Sequence, residues 1–130
     1  MEHGPRRRTH AQHLGDAAED EVAASLEAGG WTILGRNVHV GRYELDIVAV
    51  DPGPPRELVV IEVRWRATRD YGTPEETVDH RKRTRIRSAA YALVELGTLQ
   101  GGAPIPHLPL RFDLVVVEPG GRRRHHRHAL

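Results

Sequence analysis

The sequence predicts an α/β domain, a mixed β-sheet flanked by helices, in the order helix, three strands, helix, strand. Three observations carry that expectation. Two Val- and Ile-rich segments, Tyr43–Asp51 and Glu57–Arg66, alternate with period two on either side of Pro52-Gly53-Pro54-Pro55, a break that cannot continue a ladder and reads as a turn. Two further segments carry apolar stripes at helical spacing. A final apolar run, Leu110–Glu118, follows the second helix, so a helical crossover sets the last strand parallel to a neighbour.

In chain order, residues 1–12 are polar and basic and read as a flexible arm. From Leu14 to Ala28 the apolar positions Leu14, Ala18, Val22 and Leu26, with Ser25 beside them, form a stripe that Gly29-Gly30 ends. Trp31–Val40 reads as a strand with Trp31, Ile33 and Leu34 as candidate core, and Gly41 turns it into the hairpin. Residues 67–74 form a loop carrying Arg69 and Tyr71. A second helix starts near Thr73-Pro74-Glu75-Glu76, where proline and acids suit a first turn. It ends at Leu96 before Gly97, with Val78, Ile86, Ala89, Ala90, Leu93 and Leu96 as its apolar stripe. Thr98–Pro109 is a Gly- and Pro-rich loop. Residues 119–130 read as a flexible, basic, His-rich tail in which His125, His126 and His128 would hold a metal only adventitiously. Residues 13–118 therefore make one domain.

Composition bounds the function. The chain has 130 residues, 38% hydrophobic and 28% charged, with no apolar run of the ~20 residues a membrane helix needs. There is no cysteine, which excludes a disulfide framework or thiolate zinc site. No apolar leader follows the basic N-terminus, and a cytoplasmic protein is the expectation. The net charge is only +1, yet 19 basic residues, of which Lys82 alone is lysine, cluster near positions 6–8, 64–69, 81–87 and 122–127. Arginine meets phosphate with a bidentate fork, so the clusters suit nucleic acid; an arginine-biased genome explains the same counts.

The hairpin concentrates the chemistry. Glu44, Asp46, Val48 and Val50 share one face of its first strand and Leu45, Ile47 and Ala49 the other; Leu58, Val60, Glu62 and Arg64 share a face of the second. A turn centred near Pro54 sets Asp46 opposite Glu62 and Glu44 opposite Arg64. Like charges ~5 Å apart destabilise a sheet, and a divalent ion such as Mg²⁺ or Mn²⁺ relieves them, since Mg²⁺ is held by one or two carboxylates with water and phosphate. Lys82 lies on the apolar stripe of the second helix and points at the sheet; a lysine snorkelling from a core edge has the same pattern. Arg81, Arg85 and Ser88 line the adjoining flank. Glu19 sits beside the stripe of the first helix, where an acid near a helix N-terminus is also simply favourable.

These residues, in this order, resemble the PD-(D/E)XK superfamily with its restriction-endonuclease-like fold, and more narrowly the bacterial YraN-like family of candidate endonucleases. The resemblance spans about Leu14 to Val117. It rests on Gly15 and Glu19, Arg36-Asn37, Glu44-Leu45-Asp46, Ile61-Glu62-Val63-Arg64 with Arg66, Tyr71-Gly72, Lys82 with Ala89-Ala90, and Arg111-Phe112-Asp113. It implies an αβββαβ core and a metal-dependent, structure-directed DNA endonuclease. Asp46, Glu62 and the Val63 carbonyl would hold Mg²⁺ or Mn²⁺, and Glu19 would complete the acidic cluster. Arg64 stands where the superfamily's lysine stabilises charge. Glu44 and Lys82 belong to the narrower pattern, Glu44 as a supporting residue and Lys82 close to the catalytic group. Arg66, Arg69, Arg81, Lys82 and Arg85 would hold branched or non-duplex DNA, and dimeric action on two strands makes a homodimer an expectation.

Three positions depart from that pattern: Leu45 replaces the proline before the first acid, Tyr43 a glycine, and Arg64 the lysine. Arginine cannot serve as a base, although it can stabilise developing charge. A nucleic-acid-binding protein with weak or no activity is therefore the alternative. A surface ion-pair ladder of Glu44, Asp46, Glu62 and Arg64 is a third reading, which leaves Asp46 against Glu62 unexplained.

Overall fold

The computed structural model describes residues 9–66 and 80–130. Helix α1 spans His10–Ala28, strands β1, β2 and β3 span Thr32–Val40, Tyr43–Asp51 and Glu57–Trp65, helix α2 spans His80–Leu96, and strands β4 and β5 span Leu110–Glu118 and Arg122–His126. The expected helix start near Thr73, with Val78, and the loop residues Arg69 and Tyr71 lie outside the described residues. Among the described residues no helix is long and apolar enough to cross a membrane.

The five strands form one sheet in the order β1-β2-β3-β4-β5, antiparallel except for the parallel pair β3–β4. The α/β class and the parallel last crossover are as the sequence predicts. Strand alternation then sorts the core into two layers. Ala18, Val22 and Leu26 of α1 pack on Ile47, Val59, Ile61, Val115 and Val117. Ile86, Ala89, Ala90 and Leu93 of α2 pack on the opposite face, against Val48, Val60, Leu114 and Val116. Leu96, expected in that stripe, is the last residue of the helix and is 69% exposed. In α1 the buried positions include Ala23, while Ser25 faces solvent.

Both terminal segments differ from the sequence expectation. The arm stops short of residue 12, because Thr9 caps α1: its side chain accepts from the Gln12 backbone N–H at 3.1 Å while Gln12 accepts from Thr9 N–H at 2.7 Å. The basic tail is not a free coil. It pairs with β4 from Leu114↔His126 to Glu118↔Arg122, covering what would otherwise be a bare sheet edge. Arg124 reaches Glu118 at 2.9 Å, and the Leu130 side chain is buried in the layer beneath α2.

Candidate functional site

The predicted turn centre at Pro54 holds: β2 and β3 pair in that register from Asp51↔Glu57 to Ile47↔Ile61. The ladder stops there, so the expected pairs Asp46–Glu62 and Glu44–Arg64 do not form as ladder pairs. The alternation of β2 slips at the same place. Leu45 joins Val48 in the α2-side layer, while Ile47 and Ala49 lie on the α1 side, which corrects the expected grouping of Leu45 with Ile47. Across β1, Asn37 takes φ +49° between the pairs Arg36↔Ile47 and Val38↔Leu45. The register of β1 on β2 is unbroken there; its one shift lies between Ile33 and Gly35.

Into the gap goes the Asp46 carboxylate. Its Oδ2 accepts the Val63 backbone N–H at 2.8 Å, in place of a strand carbonyl. Burial, followed by the charge of Glu62, pushes the Asp46 pKa up to about 8, against the opposing Val63 hydrogen bond, and the two carboxyl groups share a hydrogen bond. The strand fork thus brings Asp46 and Glu62 together from opposite faces. Glu62 is buried, and Lys82 Nζ of α2 lies 2.7 Å from its Oε1, with Arg64 Nη2 3.7 Å from the same oxygen. Lys82 does point at the sheet.

On the α1 side, Glu19, Glu44, Asp46 and Val63 line a cleft of about 640 Å³ with Arg36 and Asn37. Glu19 is buried, which raises its pKa although Arg36 Nε stands 3.3 Å away, and the same guanidinium bonds Asp20 at 2.6 Å. Glu44 lies 3.6 Å from His39 Nε2 rather than against Arg64. Among the described residues no three His, Cys, Asp or Glu side chains converge on one point. The side-chain donors brought together are two, Asp46 and Glu62, with Glu19 across the cleft. Two carboxyl oxygens and a neighbouring backbone group still make the oxygen-rich, few-ligand set that suits Mg²⁺. Arg81 and Arg85 are exposed on α2, Arg66 continues the β3–β4 pairing by donating its N–H to Val117, and Arg69 is outside the described residues.

The family model described as "Uncharacterised protein family UPF0102" matches residues 18–117. The chain belongs to the UPF0102 family. The UPF0102 protein of Symbiobacterium thermophilum is 40% identical over 116 residues, covering 88% of this chain and 91% of that one. The UPF0102 protein of Moorella thermoacetica is 41% identical over 104 residues, covering 79% and 78%. The solved structure of Pyrococcus furiosus SfsA in complex with Ca²⁺ is 13% identical, with a TM-score of 0.29, covering 97% of this chain and 73% of that one, a likeness too loose to carry an argument.

Sequence reasoning missed a second ionic cluster in this UPF0102 chain, at the other end of the sheet. Arg111 is buried and bonds Asp113 through two nitrogens at 2.9 and 2.8 Å, Asp51 at 2.9 Å and Glu57 at 2.9 Å. His125 Nε2 lies 2.7 Å from Asp113, and the His128 N–H donates to it at 3.2 Å. Burial alone would raise the Asp113 pKa; the bonds to His125 and Arg111 hold it at about 2 instead. Asp51 and Glu57 flank the turn and Arg111 and Asp113 alternate on β4, but only the register β2–β3–β4 unites them.

Proposed function

We propose that this chain is a metal-dependent, structure-directed DNA endonuclease of the PD-(D/E)XK type. One observation carries the reading: at the fork of β2 and β3 the Asp46 and Glu62 carboxyl groups sit side by side, and burial, then the charge of Glu62, raises the Asp46 pKa to about 8. A purely structural pair would be an expense with no return, whereas crowded, perturbed carboxyls in a cleft mark functional sites. Asp46 and Glu62, with the Val63 carbonyl, would hold Mg²⁺ or Mn²⁺. When bound, that ion polarises a phosphodiester and lowers the pKa of a water. Lys82 and Arg64, both on the Glu62 oxygen, supply positive charge beside the phosphate. Arg81 and Arg85 hold the backbone without reading bases, which favours structure over sequence.

The test is cleavage of labelled four-way junction, flap, duplex and single-stranded DNA in Mg²⁺ and Mn²⁺, with Asp46→Asn beside the wild type. Metal-dependent cleavage, reduced at least a hundredfold in the variant, is the expected outcome. Tight binding without cutting in any metal would favour the second reading, a binding protein on the same fold. The observation for that reading is that Lys82 and Arg64 already neutralise Glu62.

A further inference from the structure

A second cleft, of about 610 Å³, lies on the α2 side of the sheet between the β1–β2 turn and α2. Its walls include Val40, Tyr43, Ala89 and Ala92, and Arg42 and Arg85 stand exposed at its rim. Tyr43 separates this cleft from the carboxyl pair. Its half-buried phenol feels the carboxylates Glu62 and Asp46 and the guanidinium groups of Arg64 and Arg85; burial, then those carboxylates, lifts its pKa to about 12, so it stays a neutral ring. A flat aromatic among small aliphatic side chains, with arginines at the mouth, matches one chemistry well. Unpaired bases stack on aromatic rings while cations track the flanking phosphates. A lipid would want a longer apolar slot, and an acidic peptide would leave the apolar wall unused.

We infer that this cleft receives one unpaired nucleobase of a single-stranded segment, stacked on Tyr43, with its flanking phosphates on Arg42 and Arg85. The inference rests on the nucleic-acid reading of the carboxyl site and sharpens it. Tyr43 precedes Asp46 by three residues, about 10 Å along a strand, so the captured base lies a nucleotide or two from the phosphate held at the fork. That geometry selects flaps, gaps and junction branches, where a base is free to leave its stack, and disfavours intact duplex.

The experiment measures binding in EDTA, so that it does not depend on cleavage. The probe is a duplex with a five-nucleotide single-stranded overhang carrying 2-aminopurine, against the blunt duplex. The overhang is expected to bind at least tenfold more tightly, with a change in 2-aminopurine fluorescence that reports altered stacking. Ala92→Trp, which fills the cleft from an exposed helix position, should abolish that preference and leave blunt-duplex affinity within twofold. Tyr43→Ala should also abolish the preference for the overhang, and Tyr43→Phe should retain it. Equal affinity of the wild type for both DNAs overturns the assignment, as does a preference that survives Ala92→Trp. Loss of a dimer on Ala92→Trp in sedimentation, without change in DNA preference, gives the cleft to a second copy of the chain and also overturns it. Cleavage by the wild type in Mn²⁺ is a separate readout, so failure here and failure of the nuclease reading remain distinguishable.

Discussion

Asp46 is a half-buried carboxyl with a single backbone donor, set beside a buried acid. With its folded pKa raised from 3.8 to about 8, the native state keeps a proton that the unfolded chain has already released across that window. The unfolded state binds fewer protons there, so stability falls as pH rises from about 4 to 8. Glu19, also raised, adds in the same sense. Thermal melts in EDTA are expected to drop steadily over that range. Asp46→Asn should remove most of the slope and raise the pH 8 midpoint by about 4 °C or more, since about 1 kcal/mol moves a domain of this size by that much. A wild-type midpoint flat with pH would sink the crowded-pair reading. Millimolar Mn²⁺ should restore the wild type at pH 8 and have little effect on the variant.

At the scale of elements, β5 takes its stability from its neighbours and not from its own sequence. Arg122 to His126 has no apolar alternation; what orders it is the edge of β4, the ion pair Arg124–Glu118 and the Asp113 contact of His125. A chain shortened after Gly121 leaves buried Asp113 with Arg111 as its remaining side-chain partner and bares the β4 edge. Urea denaturation should show a loss of about 3 kcal/mol or more, in the range for breaking buried charged hydrogen bonds. A loss under about 0.5 kcal/mol would mean the strand is not formed in solution. The same case shows what a sequence can reveal. The β2–β3 register was legible because a Pro-rich turn and a two-residue apolar period fix it locally. The slip at Asp46 was not, since nothing in the local alternation of β2 marks it, and β5 was not, because its order comes from side chains on β4. The Arg111 cluster needs four segments at once, and no local pattern encodes it.

Over the whole molecule, the sheet separates two tasks. Its Asp46 end holds crowded acids and arginine-rich surface, and its Asp51 end holds a saturated ionic cluster. The fold class was legible because helical and strand periods alternate cleanly along the chain. The long-range field is nearly neutral at net charge +1, so DNA affinity should come from local arginine contacts and not from general attraction. Arg81→Ala with Arg85→Ala is expected to lower the slope of log affinity against log salt by about 1.8 on duplex DNA, about 0.9 for each lost phosphate contact. An unchanged slope would remove this face of α2 from the interface.

The position of Asp113 also has a meaning in time. The bonds that hold its charge inside the sheet include groups from His125 and His128, which lie 12 and 15 residues further along the chain. During translation α1, β1, β2 and β3 emerge from the ribosome first, but β3 then lacks its parallel neighbour. When β4 arrives it brings a carboxylate whose outer partners have yet to follow it out of the ribosome. The nascent sheet is therefore open on one side until those residues clear the ribosome and dock. In that interval the β4 edge is the surface on which a chaperone, or a neighbouring nascent chain, would act.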